Sequence, residues 1–200
     1  SYITDWAKSF NAPVRKFTNV HEVSLTNPGF VIKTDRGDIT SEILVVATAT
    51  HQYPKIPDIV KKIPKTINQL HADQYKNTSQ LNDGGVLVVG SGQTGCQIVE
   101  DLIRDKRDTY LCVGRTGRLP RRYRGKDAIF WQKEMNLLDR TPDMLSDLSL
   151  RFRPDPHCSG RDGGKTLSLH NFNRAGVKLC GRLEDLSQKD LIFGKSLQSD

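Results

Sequence analysis

Hydrophobic residues at the start of the chain follow first the period of a helix and then that of strands. Residues 1–11 place their apolar side chains at helical spacing, which predicts a short helix. Residues 20–25 alternate apolar and polar positions, and residues 29–34 follow a turn at Asn27-Pro28-Gly29. The pattern therefore predicts a helix followed by a small antiparallel meander.

Residues 41–49 form a continuous apolar run, SEILVVATA. Such a run is typical of a strand that is buried on both faces, as in a parallel sheet. The first fifty residues offer this strand no parallel neighbour, so we expect that a partner region is missing. The exposed edge of such a strand tends to pair with another chain, and a homodimer is therefore a further expectation.

Prolines mark a boundary after this run. The connection at residues 50–64 contains Pro54, Pro57 and Pro64, and proline stiffens the chain and removes backbone donors. We therefore predict two domains, residues 1–57 and residues 58–200.

The second domain alternates strand and helix patterns. Strands are predicted at residues 86–90 and 109–114, on either side of an apolar-periodic helix at 93–105. Further along we predict helices at 127–139 and 167–176, a long loop at 151–166, and strands at 177–181 and 190–194. The fold class is therefore α/β, with a Rossmann-like βαβ unit on a parallel sheet.

A glycine motif joins the first strand of this unit to its helix. Gly90, Gly92 and Gly95 satisfy G-x-G-x-x-G, in which the glycines allow a sharp turn, close approach of a pyrophosphate and close helix–strand packing. The residues between and after them, Ser91, Gln93 and Thr94, bring backbone N–H groups to the start of the helix. These N–H groups would face the phosphates, so the motif predicts a dinucleotide site.

The charge is concentrated close to this motif. The chain carries a formal net charge of +7, and residues 115–126, RTGRLPRRYRGK, contain six basic residues and no acid. Such a patch needs an anionic partner or a solvated surface, so nucleic acid, membrane phosphate and nucleotide phosphate are open on charge alone. No apolar run approaches the roughly 20 residues of a membrane span.

The basic patch indicates which dinucleotide binds. An NAD site usually carries an acidic residue about 20 residues beyond the last glycine, to bind the ribose 2′-hydroxyl. Arg115 stands there in this chain, and an arginine suits the 2′-phosphate of NADPH. Thr116 could add a hydroxyl donor, and Arg121 or Arg122 could bind the 2′-phosphate from the other side. NADPH is thus the predicted cofactor.

The cysteines indicate the cellular location of the protein, and the first residue indicates how much of the protein this chain represents. Cys96, Cys112, Cys158 and Cys180 lie far apart and form no CxxC pair, so we predict reduced thiols, a cytoplasmic location and no metal site. The chain begins with Ser1 rather than Met, so we expect a piece of a longer protein.

Three stretches together resemble a known family. They are VVATATHQYPKIP, VLVVGSGQTGCQIVEDL and VGRTGRLPRRYRGKD. The chain resembles flavin-dependent monooxygenases of the flavin-containing and Baeyer–Villiger type, and most of all the bacterial members labelled as flavoproteins involved in potassium transport. Ala47, Thr48, Pro54 and Pro57 match the family's A-T-G and P-x-x-P, while Ala49 replaces the glycine.

The resemblance implies that this chain is the central part of such a protein. These proteins insert an NADPH domain into an FAD domain, so residues 1–57 would be a partial FAD-domain segment and 58–200 the NADPH domain. The FAD-binding glycine turn would precede residue 1. A family signature also runs F-x-G-x-x-x-H-x-x-x-W or Y. His71 and Tyr75 keep its second half, and Lys65 and Ile67 replace Phe and Gly. We include His71 among the candidate cofactor-binding residues.

The implied function is that of a monooxygenase in which NADPH delivers hydride to FAD and the reduced flavin activates oxygen. FAD would bind only in the full-length protein, so the isolated chain would be inactive, and we assign it no catalytic residue. Its partners would be the missing FAD-domain segments and a small-molecule substrate. The alternatives are a non-enzymatic NADP(H) sensor and a nucleic-acid binder that uses the arginine loop, which lacks the aromatic platform of a single-strand binder.

Overall fold

A computed structural model describes residues 2–48, 53–114, 119–152, 157–187, 190–195 and 197. The chain divides into two compact units, Ser1–Tyr53 and Pro54–Asp200. The boundary that the sequence predicts, between residues 57 and 58, lies four residues beyond this division. None of the described helices combines the length and the apolar composition that crossing a bilayer would require.

The first unit contains one helix and one antiparallel sheet. Helix α1 spans Tyr2–Ser9, and strands β1, β2 and β3 span Val20–Leu25, Phe30–Thr34 and Ile39–Ser41. The strands are antiparallel and lie in the order β1-β2-β3. The predicted helix and meander are therefore confirmed, because short-range periodicity and the turn at residues 27–29 were enough to specify them.

The predicted buried strand at residues 41–49 is wrong. β3 ends at Ser41, residues 42–48 form no strand, and Ala49 lies outside the described residues. Ile43, Val45 and Val46 are 78%, 81% and 73% exposed. A strand needs a partner for its backbone N–H and C=O groups, and no described strand of this chain pairs with the segment.

We expect this exposed apolar segment to cause self-association of the chain. Large apolar side chains that lie close together on a surface tend to be covered by another molecule. Light scattering at several concentrations will show a mass above the 22.5 kDa of a single chain, and Val45→Lys will restore the single-chain mass. A single-chain mass for the unchanged protein at every concentration would contradict the expectation.

The second unit contains three α-helices and nine strands among its described residues. Strand β4 spans Val86–Val89, helix α2 Gln93–Arg104 and strand β5 Thr109–Cys112. The later elements, in chain order, are β6 (Arg122–Tyr123), β7 (Lys126–Asp127), α3 (Ala128–Glu134), β8 (Cys158–Ser159), β9 (Lys165–Thr166), α4 (Leu169–Arg174), β10 (Lys178–Cys180), β11 (Leu183–Ser187) and β12 (Asp190–Phe193).

A parallel sheet of three strands organises this unit. The strand order is β10-β5-β4, with β5 parallel to both neighbours. Its core joins side chains of the sheet to those of α2 and α4, with Val99, Leu102 and Leu111 fully buried and Phe172 6% exposed. Each such fully buried aliphatic side chain contributes roughly 1.5–3 kcal/mol. The predicted α/β class with a parallel sheet is confirmed.

Other elements differ from the predicted ones. Helix α3 ends at Glu134 rather than at residue 139, and Asn136 just beyond it adopts a left-handed φ of 53° that stops a helix. The predicted loop at 151–166 contains the antiparallel hairpin of β8 and β9. β11 was not predicted, because its two acidic residues hide the apolar alternation; it pairs antiparallel with β12.

Candidate functional site

The glycine motif forms the turn between β4 and α2. Gly90 has a φ of +106°, a conformation that favours glycine, so the chain leaves the strand sharply. Gly92 is the N-cap residue of α2, with extended backbone angles. The amides of the first helical turn therefore point out of the N-terminus without intrahelical acceptors, which is the arrangement that binds anions.

Two glycines of the motif differ in what surrounds them. A Cβ atom on Gly95 would lie 2.0 Å from the carbonyl oxygen of Gly90 and 3.5 Å from Val88 Cγ1. A Cβ atom on Gly92 would meet no atom within 4 Å. Gly95 therefore allows the helix to pack on the turn, whereas Gly92 leaves open space at the helix start. The turn fits the pyrophosphate of a dinucleotide.

The hydroxyl of Ser91 ties this turn to the end of β5. Ser91 is 1% exposed, and its Oγ accepts a hydrogen bond from the Gly114 amide at 3.0 Å and lies 3.4 Å from the Gly114 carbonyl oxygen. Gly114 immediately precedes the basic segment, residues 115–126, in the sequence. Ser91 thus fixes the point at which the basic segment begins.

The side chain of Gln93 ties the same turn to strand β8. Its Nε2 donates to the Cys158 carbonyl oxygen at 2.7 Å, and its Oε1 accepts from the Cys158 amide at 3.1 Å. The side-chain amide of Gln93 therefore satisfies both backbone groups of Cys158, as the backbone of a neighbouring strand would. The sequence predicted a role for the backbone N–H of Gln93 only, and it did not predict this side-chain contact.

The residues predicted to bind the 2′-phosphate fall into two groups. Arg115 and Thr116 lie outside the described residues. Arg121 donates from Nε to Asp127 Oδ2 at 2.7 Å and from one terminal nitrogen to Cys158 Sγ at 3.4 Å. These hydrogen bonds, the one to Cys158 first, raise the pKa of the Arg121 guanidinium. Arg122 donates to the Gly163 carbonyl oxygen at 2.7 Å and is exposed.

His71 lies in the segment that leads into the second unit's sheet. Its Nδ1 is 2.6 Å from Asp73 Oδ1, so its described partner is a neighbouring carboxylate rather than the glycine turn. Thr94, in the first turn of α2, is exposed. The structure therefore brings Ser91, Gln93, Thr94 and the three glycines together, and it shows no contact between His71 and them among the described residues.

A polar contact between α2 and the hairpin of β8 and β9 was missed by sequence analysis. Glu100 is 7% exposed; its Oε2 accepts from Ser159 Oγ at 2.9 Å, and its Oε1 lies 3.1 Å from Lys165 Nζ. Asp101 binds Arg161 at 2.6 Å. The sequence could have predicted this contact from Glu100, because it is a charged residue one turn after Cys96 on the apolar face of the helix.

A cavity of about 470 Å³ lies on the flank of α2, lined by residues that include Tyr75, Thr94, Ile98 and Arg161. The Tyr75 hydroxyl is buried with no hydrogen-bond partner among the described residues. Burial, and then the charge of Asp101, raises the pKa of this hydroxyl. The cavity lies beside the glycine turn, since Thr94 belongs to both.

Comparison with protein families gives one match over most of the chain. The family model described as pyridine nucleotide-disulphide oxidoreductase matches residues 1–129. This range contains the first unit, the glycine turn and the basic segment.

Curated relatives have oxidoreductase names. The chain is 41% identical over 198 residues to "Uncharacterized oxidoreductase CzcO" of Bacillus subtilis, covering 98% of this chain and 55% of that protein. It is 36% identical to "Uncharacterized oxidoreductase CzcO-like" of Geobacillus kaustophilus, with the same coverage. It is 32% identical to "Probable indole-3-pyruvate monooxygenase YUCCA1" of Arabidopsis thaliana, covering 89% of this chain and 41% of that protein. The chain thus spans about half the length of its bacterial relatives.

A solved structure shares the fold. A mutant form of a flavin monooxygenase from Stenotrophomonas maltophilia superposes with a TM-score of 0.63 at 15% identity, covering 96% of this chain and 50% of that one. The resemblance to flavin-dependent monooxygenases is confirmed by these relatives and this neighbour together with the family match. None of their names mentions potassium transport, so that association stays a prediction.

Proposed function

Because the chain belongs to the pyridine nucleotide-disulphide oxidoreductase family, we propose that it supplies the NADPH-binding part of a flavin-dependent monooxygenase. Residues 58–200 would be its Rossmann-like NADPH domain, and residues 1–57 a segment of its FAD domain, in a cytoplasmic enzyme. The observation that carries the proposal is the pair of glycine environments, with Gly95 packed on the Gly90 carbonyl and open space at Gly92.

The residues of the turn would hold the cofactor by its phosphates. The first-turn amides of α2, from Gln93 to Gly95, would donate to the pyrophosphate, with the helix dipole aligned behind them. Arg115 and Thr116 follow β5 in the sequence and would bind the 2′-phosphate together with Arg122. We do not include Arg121 among the residues that would bind the 2′-phosphate, because its guanidinium already binds Asp127 and Cys158.

NADPH supplies a hydride when it is bound, and a flavin of the parent protein would accept it. The chain's own part would be to orient the dinucleotide and to select it, as proteins do when a cofactor carries the chemistry. The oxidoreductase names of the relatives favour this enzymatic part over a sensor. The substrate would bind to the parent protein beside its flavin.

Titration of the chain with NADPH, followed by its nicotinamide fluorescence, tests the proposal. We expect saturable binding that adenosine 2′,5′-bisphosphate displaces more strongly than 5′-AMP does, because only the former carries the 2′-phosphate. No saturable binding at millimolar NADPH would refute the proposal.

The purified chain should contain no FAD. The sequence holds one G-x-G-x-x-G motif, which the proposal assigns to NADPH, so the pyrophosphate of FAD would have no second glycine turn. We expect a colourless protein without absorbance in the flavin bands. A yellow preparation with one FAD per chain would show that the glycine turn has been assigned to the wrong cofactor.

A further inference from the structure

Two cysteines stand opposite each other in the parallel sheet of the second unit. Cys112 is the last residue of β5 and Cys180 the last residue of β10, and the register of the two strands pairs them directly. They are distant in the sequence and form no CxxC pair, so only the sheet brings them together. Both are free cysteines.

The two thiols share one face of the sheet. Successive side chains of a strand point to opposite faces, so Cys112 and Cys180 lie on the face of Tyr110 and Lys178, which precede them by two residues. Paired side chains reach each other on this face, because Lys178 Nζ donates to the Tyr110 hydroxyl at 2.8 Å and lies 4.4 Å from the centre of its ring. Leu111, between the two positions, points to the opposite face and into the core.

The spacing of the strands brings the cysteines within the range of a disulfide. Neighbouring strands lie about 4.7–4.9 Å apart, and the Cα atoms of a disulfide are usually about 4.4–6.8 Å apart. The bond also needs its Cβ atoms about 3.5–4.5 Å apart, which is less than the strand spacing. Closing the bond therefore draws the ends of β5 and β10 together, and a bond under such strain is readily reduced again.

We propose that Cys112 and Cys180 form a redox-modification site, which closes to an intramolecular disulfide when the chain meets hydrogen peroxide. The inference is independent of the proposed function, because it involves neither a nucleotide nor a flavin. It concerns two residues for which the sequence alone predicted only reduced thiols.

The reaction takes place in two balanced steps. Peroxide oxidises the Cys180 sulfur to a sulfenic acid, its O–O bond breaks, and one water leaves. The Cys112 sulfur then attacks the Cys180 sulfur, so that the S–S bond forms, the S–O bond breaks and a second water leaves. In sum, the two thiols lose two protons and two electrons, and one peroxide becomes two waters.

Exposure and charge determine the order and the pace of these steps. Cys180 is partly exposed and Cys112 only 2% exposed, so peroxide reaches Cys180 first. Burial, and then the neighbouring charge of Cys180, raises the pKa of the Cys112 thiol to about 11, and burial also raises the pKa of Cys180. Because the thiolate is the reactive form, the pair stays reduced at neutral pH until an oxidant is supplied, and its closure is slow.

The site lies where the sheet meets the glycine turn. The Cys112 carbonyl oxygen accepts a hydrogen bond from the Gly90 amide at 3.2 Å, and the Cys180 carbonyl oxygen accepts one from the Val113 amide at 2.9 Å. The disulfide would therefore link the strand end that holds Gly90 covalently to β10.

The experiment treats the folded 200-residue chain with hydrogen peroxide at mildly alkaline pH, then unfolds it in N-ethylmaleimide and digests it with trypsin. We expect the chain to lose two hydrogens and to keep two of its four cysteines reactive towards the maleimide. The tryptic peptides 108–115 and 179–182 should be joined by a bond that dithiothreitol cleaves. The yield should not change on tenfold dilution, because the bond forms within one chain.

Three variants complete the test. Cys180→Ser should leave the buried Cys112 reactive towards the maleimide, because peroxide does not reach it and no partner sulfur remains. Cys112→Ser should leave Cys180 oxidised without a disulfide. The matched control is Cys158→Ser, which removes another partly exposed thiol and should form the same bond as the unchanged chain.

The outcomes are decisive whether or not the variants fold, since the unchanged chain carries the main result. A disulfide between other cysteines, or one that forms between chains and disappears on dilution, would overturn the inference. Oxidation of Cys180 to the sulfinic acid with Cys112 still reactive would overturn it as well. The proposed function would stand in each case, because NADPH titration tests it separately.

Discussion

Gly95→Ala will destabilise the second unit by about 2–3 kcal/mol, because its methyl group would stand 2.0 Å from the Gly90 carbonyl oxygen. Neither partner can yield easily, since one is helix backbone and the other is the exit of β4. For a chain of this size, the midpoint of thermal unfolding should fall by roughly 5–10 °C. Differential scanning calorimetry measures this directly.

The matched variant is Gly92→Ala, which should separate binding from folding. A methyl group there meets no protein atom within 4 Å, so the loss of stability should not exceed about 1 kcal/mol, the cost of alanine at an N-cap. The same methyl would occupy the space through which the pyrophosphate approaches, and NADPH affinity should fall at least about tenfold. Full NADPH affinity in a folded Gly92→Ala would contradict the assigned phosphate position.

Arg115→Ala should remove most of the preference for NADPH over NADH. A hydrogen bond between a guanidinium and a phosphate typically contributes about 1.5–3 kcal/mol, which corresponds to roughly a tenfold to a hundredfold difference in affinity. NADH affinity should remain nearly unchanged, because NADH has no 2′-phosphate. Calorimetric titration of both nucleotides measures the two effects.

The control for this prediction is Arg124→Ala, which removes the same charge from the same basic patch. Arg124 is exposed and lies over the ring of Tyr123, 5.4 Å from its centroid. If the general positive field of the patch determined the preference, the two variants would lose it equally. Such equality, or a chain that binds NADH as tightly as NADPH, would remove the basis for assigning NADPH.

Local sequence was sufficient wherever neighbouring residues make the structure. The apolar periodicity of α1 and α2 and the alternation of β1 specified those elements, because the spacing of the apolar residues matches the repeat of a helix or of a strand. The glycine turn was equally readable, since Gly90 needs a positive φ and the atoms that exclude a side chain at Gly95 lie within seven residues of it. The α/β class and the position of the glycine turn therefore followed from the sequence.

Tertiary structure decided what lies around that turn. Gln93 and Cys158 are 65 residues apart, and no local pattern pairs a helix-start glutamine with a strand inside an apparent loop. Arg121 is the residue type that binds phosphate, and only the structure shows that its guanidinium already donates hydrogen bonds to Asp127 and Cys158. Residues 42–48 had the composition of a buried strand and lack a described partner strand. Hydrogen-bond partners distant in sequence are chosen by packing of the whole unit, and periodicity carries no information about them.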